Sequence, residues 1–282
     1  MKQSDEFQFV ALLGKELSAG GISLPSLPDV VLKIRALLER QECDFKQVSQ
    51  AVRSDPVLVS RLLLFANSAY HNPGGEPVQS LDVAIARLGF EAIRNAALSL
   101  AVKQLMLSEE HKAIAAPLKK IWSQSIQLAC MSFSAAKRNP DLNEETAFMC
   151  GLLNEIGKLY ILMKTKEFPS FLQNAEVLNN VLGTWYSPVG ESIVESWGFE
   201  TEICLSVNAG EHVSDRPRDA ATMVDVVYAA RLVLDKPGDN SIDFSQVLSC
   251  EKLGVSDQSV PEILSTYQQK LQSVRQSLSS AA

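Results

Sequence analysis

With 282 residues, 46% of them apolar and 21% charged, the chain can bury a substantial core in one large or two medium domains, which excludes a disordered protein. Its net charge of −7 arises from 26 basic and 33 acidic residues, and no basic half hides in that total: 11 against 13 through Glu110, 15 against 20 after it. Neither half suits a polyanion, because phosphate neutralisation by Lys and Arg supplies most non-specific nucleic-acid affinity.

The start, Met1-Lys2-Gln3-Ser4-Asp5-Glu6, carries early acids and no following apolar block with a small-residue cleavage site, so it does not read as a signal peptide. No window approaches the roughly 20 apolar residues of a membrane span. A cytoplasmic protein is expected.

Helical punctuation then dominates, and no period-2 strand is found. Pro28 and Asp29 open a helix with Val30, Val31, Ile34, Leu37 and Leu38 at the spacing of one buried face. Asp44 followed by Gln47 resembles a capping box for a short helix through Val52. Asp55-Pro56 starts another, with Val59, Leu62, Leu63 and Ala66 inward, ending near Asn67-Ser68 ahead of a loop from His71 to Pro77. Ser80 caps Leu81–Leu88, Gly89 breaks the chain, and Phe90 to about Leu107 forms a long apolar helix.

The pattern loosens around Ser108–Pro117, which sets a domain boundary near residue 110. Leu118–Lys137 reads as a helix stopped by Asn139-Pro140. Asn143 caps the next, which is expected to run past Gly151 to about Lys164 with Glu144 and Glu145 in its first turn. Further helices are expected over Phe168–Leu178, Pro188–Trp197, Thr201–Ala209, Arg218–Leu234 and from about Asp257, with a frayed tail Ser279–Ala282. The expected architecture is all-α: an N-terminal helical bundle (1–110) packed on a second helical domain (111–282).

Cysteines 43, 130, 150, 204 and 250 are scattered, without a C-x-x-C pair, and read as small buried hydrophobes in a reducing compartment. Of the three histidines, His71 is expected in an exposed loop and His111 on a solvated turn. Trp122, Trp185 and Trp197 read as core or groove lining. Gly74-Gly75 lacks the lysine and the preceding strand of a phosphate loop. Residues 45–70 could pose as a helix-turn-helix, but Arg53 and Arg61 supply little charge and Val57–Phe65 is mostly apolar.

The informative stretch is Ala147–Leu159, an apolar run interrupted by Asn154-Glu155 and closed by Ile-Gly-Lys-Leu. It resembles the metal-binding helix of the HD phosphohydrolase superfamily, in which the polar pair is His-Asp. Two longer segments resemble the HDOD (HD-related output domain) family of bacterial signalling proteins. The first comprises Leu24-Pro25-Ser26-Leu27-Pro28, Ser54-Asp55-Pro56, Ala66-Asn67-Ser68-Ala69-Tyr70 and Ser80 through Asn95. The second comprises Ile121-Trp122, Gly151–Leu159, Leu182-Gly183, Val189-Gly190 and Trp197-Gly198-Phe199. The resemblance covers about residues 22–235.

The resemblance places the superfamily's metal-ligand positions at Gln124, at Asn154 and Glu155, near Tyr186, at Gly210 and Glu211, and near Ala230. Of these, only Glu155 and Glu211 offer a carboxylate; His212 is adjacent to an expected place but about 100° around a helix axis. Glu155 and Glu211 could still converge as an acid/base pair, yet no cationic group that would stabilise phosphate hydrolysis is located near them in the sequence.

The resemblance thus implies a degenerate, metal-free site with no cofactor, and a non-catalytic signalling role through protein–protein contacts. Sensor kinases, response regulators or cyclic-dinucleotide enzymes are the expected partners. No receiver, sensor or cyclase segment is read in the chain, so input is expected from a partner or a small ligand. Asn67, Ser68, Arg94 and Lys158 are the candidate interaction residues, although Asn67 and Ser68 also suit local backbone capping. The rival readings are a phosphodiesterase with rearranged ligands Glu155, Glu211 and His212, and a nucleotide sensor without turnover.

Overall fold

The computed structural model describes residues 3–20, 22, 27–38, 40, 44–107, 109–168, 174–216, 219–236 and 242–279. The Leu24-Pro25-Ser26 segment, Cys43 and the last three residues of the tail lie outside them. Among the described residues the backbone forms helices and no strand, so the chain is all-α as expected.

The chain opens with α1 (Gln3–Ser18), followed by α2 (Asp29–Leu38), α3 (Phe45–Arg53), α4 (Pro56–Ala66) and α5 (Leu81–Met106). Next come α6 (Ala115–Ala136), α7 (Glu144–Leu153), α8 (Ile156–Lys164), α9 (Ala175–Ser196), α10 (Thr201–Val207) and α11 (Ala209–His212). The last three are α12 (Met223–Asp235), α13 (Leu248–Lys252) and α14 (Val260–Ser279).

Two compact units result, one of Met1–Ser26 with Met106–Asp257 and one of Leu27–Leu105 with Gln258–Ala282. The middle division falls close to the boundary read from sequence, but both chain ends change sides. Helix α1 belongs with α9, and Phe9 meets Phe168 edge-on at 5.2 Å. Helix α14 instead packs on α4. A compositional boundary marks where the chain leaves a unit; it carries no information about a terminal helix returning to one.

In the Leu27–Leu105 unit, Asp44 and Asp55 act as N-caps, accepting from the Lys46 amide and from the Val57 and Leu58 amides respectively. Gln47 does not complete a capping box; it accepts from Arg40 instead. Helix α4 is rotated from the expected face, so that Leu58, Arg61, Leu62, Phe65 and Ala66 are buried rather than Val59 and Leu63. Gly89 breaks α5 as expected, with φ 78°, a left-handed conformation that side-chain-bearing residues avoid.

Asn67 brackets its own loop, donating to the Leu63 and Val78 carbonyls and accepting from the Val78 amide. Buried Ser68 donates to Phe65 O and accepts from Ser273. Both side chains are therefore occupied in holding the unit together. The end of α14 is capped by two cations: Arg61 donates to Ser277 O and Lys103 to Leu278 O at 2.6 Å. Positive charge at the last carbonyls of a helix complements its dipole. Burial lowers the pKa of both, and for Lys103 the neighbouring Arg61 adds to the effect. His71 is half-buried, its ring 4.4 Å from that of Phe65, and not an exposed loop residue.

The other unit is organised around α6, which lies against α7 and α12, while α8 pairs with α9. The glycines of the Ala147–Leu159 frame permit these approaches. A Cβ on Gly151 would lie 2.7 Å from Leu128 O, and one on Gly157 would overlap Tyr186 O and lie 2.7 Å from Gly190 N. Asn143 caps α7 as expected. His111, expected on a solvated turn, is 5% exposed.

The helices expected over Phe168–Leu178 and Pro188–Trp197 are not separate. Residues 169–173 lie outside the described set, and α9 runs from Ala175 through Pro188 to Ser196. Helix α12 starts at Met223 rather than Arg218, with Thr222 and Asp225 forming a capping box. Buried Asp225 also accepts from Ser249 at 2.6 Å and lies 3.7 Å from Lys252, fastening α13 to α12.

Helix α1 is held by Glu16, which accepts from the Tyr160 hydroxyl at 2.6 Å and from Lys164 at 2.8 Å. Burial and the hydrogen bond to Glu16 push the Tyr160 pKa up to about 12. This contribution to stability is complete below the ordinary tyrosine pKa of about 10 and disappears as pH rises towards the folded value. Spectrophotometric titration should show one late-ionising tyrosine whose midpoint falls in Glu16→Gln; an unchanged midpoint would refute the assignment.

Candidate functional site

A continuous helix was expected to carry the Asn154-Glu155 pair. Instead the pair forms the turn between α7 and α8. Both residues are buried, at 2% and 3% exposure. A buried amide and a buried carboxylate both require partners, and the turn frees them to find different ones. Asn154 Nδ2 donates to Ser206 O at 3.3 Å and Val207 O at 2.9 Å, satisfying carbonyls at the end of α10.

The remaining acceptors turn towards α12. Arg231 Nη2 donates to Asn154 Oδ1 and, at 2.8 Å, to Glu155 Oε1. Lys158, one turn along α8, forms an ion pair with Glu155 Oε2. Tyr186 packs beside both cations, its ring centre 4.6 Å from Lys158 Nζ and 5.8 Å from the Arg231 guanidinium carbon. The result is one buried carboxylate held between two positive charges.

Burial alone would raise the Glu155 pKa, but Arg231 and Lys158 outweigh it and hold the carboxyl below its usual range. Burial likewise opposes the charge on Arg231, and Glu155 reverses that, leaving the guanidinium still harder to deprotonate. Arg231, absent from the sequence reading, and Lys158, read there in another role, are the cations beside Glu155, and both are engaged with its carboxylate.

Arg231 stands between two cavities. One, of about 250 Å³, is lined by Gln124, Glu155, Lys158 and Asp235. The other, of about 400 Å³, is lined by Asn154, Tyr186, Gly210 and Glu211 together with Ser187 and Tyr228. Six of the seven expected site positions therefore line these neighbouring cavities. Ala230 is fully buried and lines neither; its successor Arg231 lines both.

Glu155 and Glu211, considered from sequence as an acid/base pair, line different cavities, and Glu155 is engaged with Arg231 and Lys158 instead. His212 Nε2 is 3.1 Å from Glu191. Among the described residues no three His, Cys, Asp or Glu side chains are grouped so as to hold a metal ion. A divalent cation fits this donor set poorly: it would have to displace two cations from Glu155, while Gly210 and Ala230 offer no side-chain donor.

A family model for the HDOD domain matches residues 24–213. The chain belongs to the HDOD family. Among solved structures, a protein called a putative metal-dependent phosphohydrolase, from Shewanella amazonensis SB2B, aligns with 23% identity and a TM-score of 0.79. That alignment covers 96% of this chain and 100% of the other. An HDOD domain protein with unknown function from Geobacter sulfurreducens aligns with 21% identity and a TM-score of 0.67, over 94% and 96% of the two chains. A putative signal transduction protein from Marinobacter aquaeolei VT8 is 20% identical with a TM-score of 0.66, over 90% of this chain and 60% of the longer one. These likenesses establish the fold. A comparison with curated proteins finds no match. No helix among the described residues is long and apolar enough to cross a membrane.

Arg231, beyond the residues matched by the family model, is the residue that sequence reasoning missed. A cation next to the ligand position placed near Ala230 was the available signal. Lys158, read as a surface interaction residue, is instead half-buried and committed to Glu155; Arg94 pairs with Glu91.

Proposed function

We propose that this HDOD protein is a non-catalytic regulatory protein of bacterial signal transduction, acting in the cytoplasm through contacts with other signalling proteins. The observation that carries this reading is the pairing of Glu155 with Arg231 and Lys158. In a metal-dependent hydrolase the buried acid of this turn would face a metal ion; here the chain's own cations neutralise it. The electrostatic requirement of the fold is met without a metal, and the reactive positions become structural ones.

Partners are sought among sensor kinases, response regulators and cyclic-dinucleotide enzymes, and membrane or nucleic-acid association is not part of the reading. The test has two arms. Purified protein supplied with Mn, Fe, Ni, Zn or Mg should hydrolyse phosphomonoesters, phosphodiesters and cyclic dinucleotides no faster than buffer. Metal-dependent turnover that disappears in Glu155→Gln would overturn the proposal in favour of a phosphohydrolase. In the second arm, a partner captured from host lysate should bind the purified protein directly and weaken with Arg94→Glu. Arg94 is the better probe, because reversing Lys158 would also unseat Glu155.

A further inference from the structure

We propose that the end of α14 carries a binding site for an oxyanion, a carboxylate or phosphate group, formed by Arg61 of α4 and Lys103 of α5. The site goes beyond the regulatory reading and does not depend on it, for it lies in the unit that holds neither Glu155 nor Arg231. The two cations are held side by side, because their acceptors, Ser277 O and Leu278 O, belong to adjacent residues of one helix. Arg61 is only 5% exposed and Lys103 is half-buried. No carboxylate pairs with either among the described residues.

Carbonyl oxygens solvate these two charges but do not neutralise them. Like charges brought together away from water repel more strongly than in it. Arg61 accordingly adds to burial in lowering the Lys103 pKa. An anion between the two would remove that cost. Other cations of the fold are not left in this state: Arg53 has Asp82, Lys164 has Glu16, and Arg231 and Lys158 share Glu155.

The donors suit an oxyanion better than a halide. Arg61 bonds Ser277 O through Nη1, which leaves the guanidinium edge formed by Nε and Nη2 intact. That edge presents parallel N–H groups, the geometry that pairs with the oxygens of a carboxylate or phosphate. Lys103 gives one ammonium proton to Leu278 O and keeps the others for a second acceptor. Both cations are anchored to α14, so an anion bridging them would tie that helix more firmly to α4 and α5. It would add to the hydrogen bond of 2.7 Å from Ser273 to Ser68.

Acetate and inorganic phosphate, titrated into the full chain by calorimetry with sodium chloride holding the ionic strength constant, separate the two oxyanion classes. One or both should bind saturably, and the tighter identifies the preferred class. Amide hydrogen exchange in the last turns of α14 should slow on binding. Arg61→Lys keeps the charge but removes the fork, and should weaken binding about tenfold or more. Lys103→Met should weaken it similarly, whereas Lys103→Arg restores the cation and should bind as the wild type does. That rescue separates loss of the site from loss of the helix cap. Failure of both anions to saturate by about 50 mM would overturn the proposal, since only general screening acts beyond that range. Phosphate also stabilises proteins by exclusion from their surfaces, so a rise in melting temperature of equal size in the wild type, Arg61→Lys and Lys103→Met would overturn it too.

Discussion

Glu155→Gln will destabilise the protein by about 3–5 kcal/mol at neutral pH, the cost of leaving a buried ion cluster without one of its partners. Glu155 is 3% exposed and is the acid that Arg231 and Lys158 share. Without it, two partly buried cations face each other across an amide. The pH dependence provides a sharper check. The folded pKa of Glu155 lies below its unfolded value because Arg231 and Lys158 outweigh the effect of burial. Its contribution is therefore fully present above about pH 5 and is lost as pH falls through the folded pKa. Wild type and Glu155→Gln should converge in stability on acidification. Parallel curves in denaturant unfolding across that range would mean that Glu155 is not the linked group.

Gly157→Ala is the second large effect. The added methyl would overlap the Tyr186 carbonyl and lie 2.7 Å from the Gly190 amide, and both are backbone atoms that no rotamer change can move. Helices α8 and α9 would have to separate. We expect a loss of about 3 kcal/mol or more, or roughly 6–12 °C in melting temperature for a chain of this size. Separation would also carry Tyr186 away from Lys158 and Arg231, so Tyr186 fluorescence or reactivity should change with stability. By contrast, the methyl of Gly183→Ala, on α9, meets nothing within 4 Å and should be nearly neutral. Equal tolerance of the two substitutions would contradict the close crossing.

Much of the helical punctuation was legible in the sequence because it is set by neighbours. Asp44, Asp55 and Asn143 cap the helices that follow them, and Gly89 breaks its helix, through bonds and dihedrals that span at most a few residues. Misreadings arise where distant packing overrides a local signal. Pro188 reads as a helix start but lies inside α9, whose other residues pack on α8 and α10. The polar pair reads as part of one helix because the run around it is uniformly apolar. It becomes a turn where Asn154 reaches the Ser206 and Val207 carbonyls, some fifty residues further on.

The candidate site divides in the same way. Gln124, Asn154, Glu155, Tyr186, Gly210 and Glu211 could be placed by motif, since each lies at a fixed offset from a tryptophan or glycine of the frame. Arg231 could not, being 76 residues from Glu155 with no motif of its own.

By itself the sequence determined the helical class and the presence of a polar pair within an apolar run. Burying that pair makes compensation obligatory, because an unpaired carboxylate cannot be removed from water cheaply. Only the tertiary structure decided that the compensation comes from Arg231 and Lys158. Desolvation dictates that a partner must exist, whereas its identity depends on which helices the fold brings together.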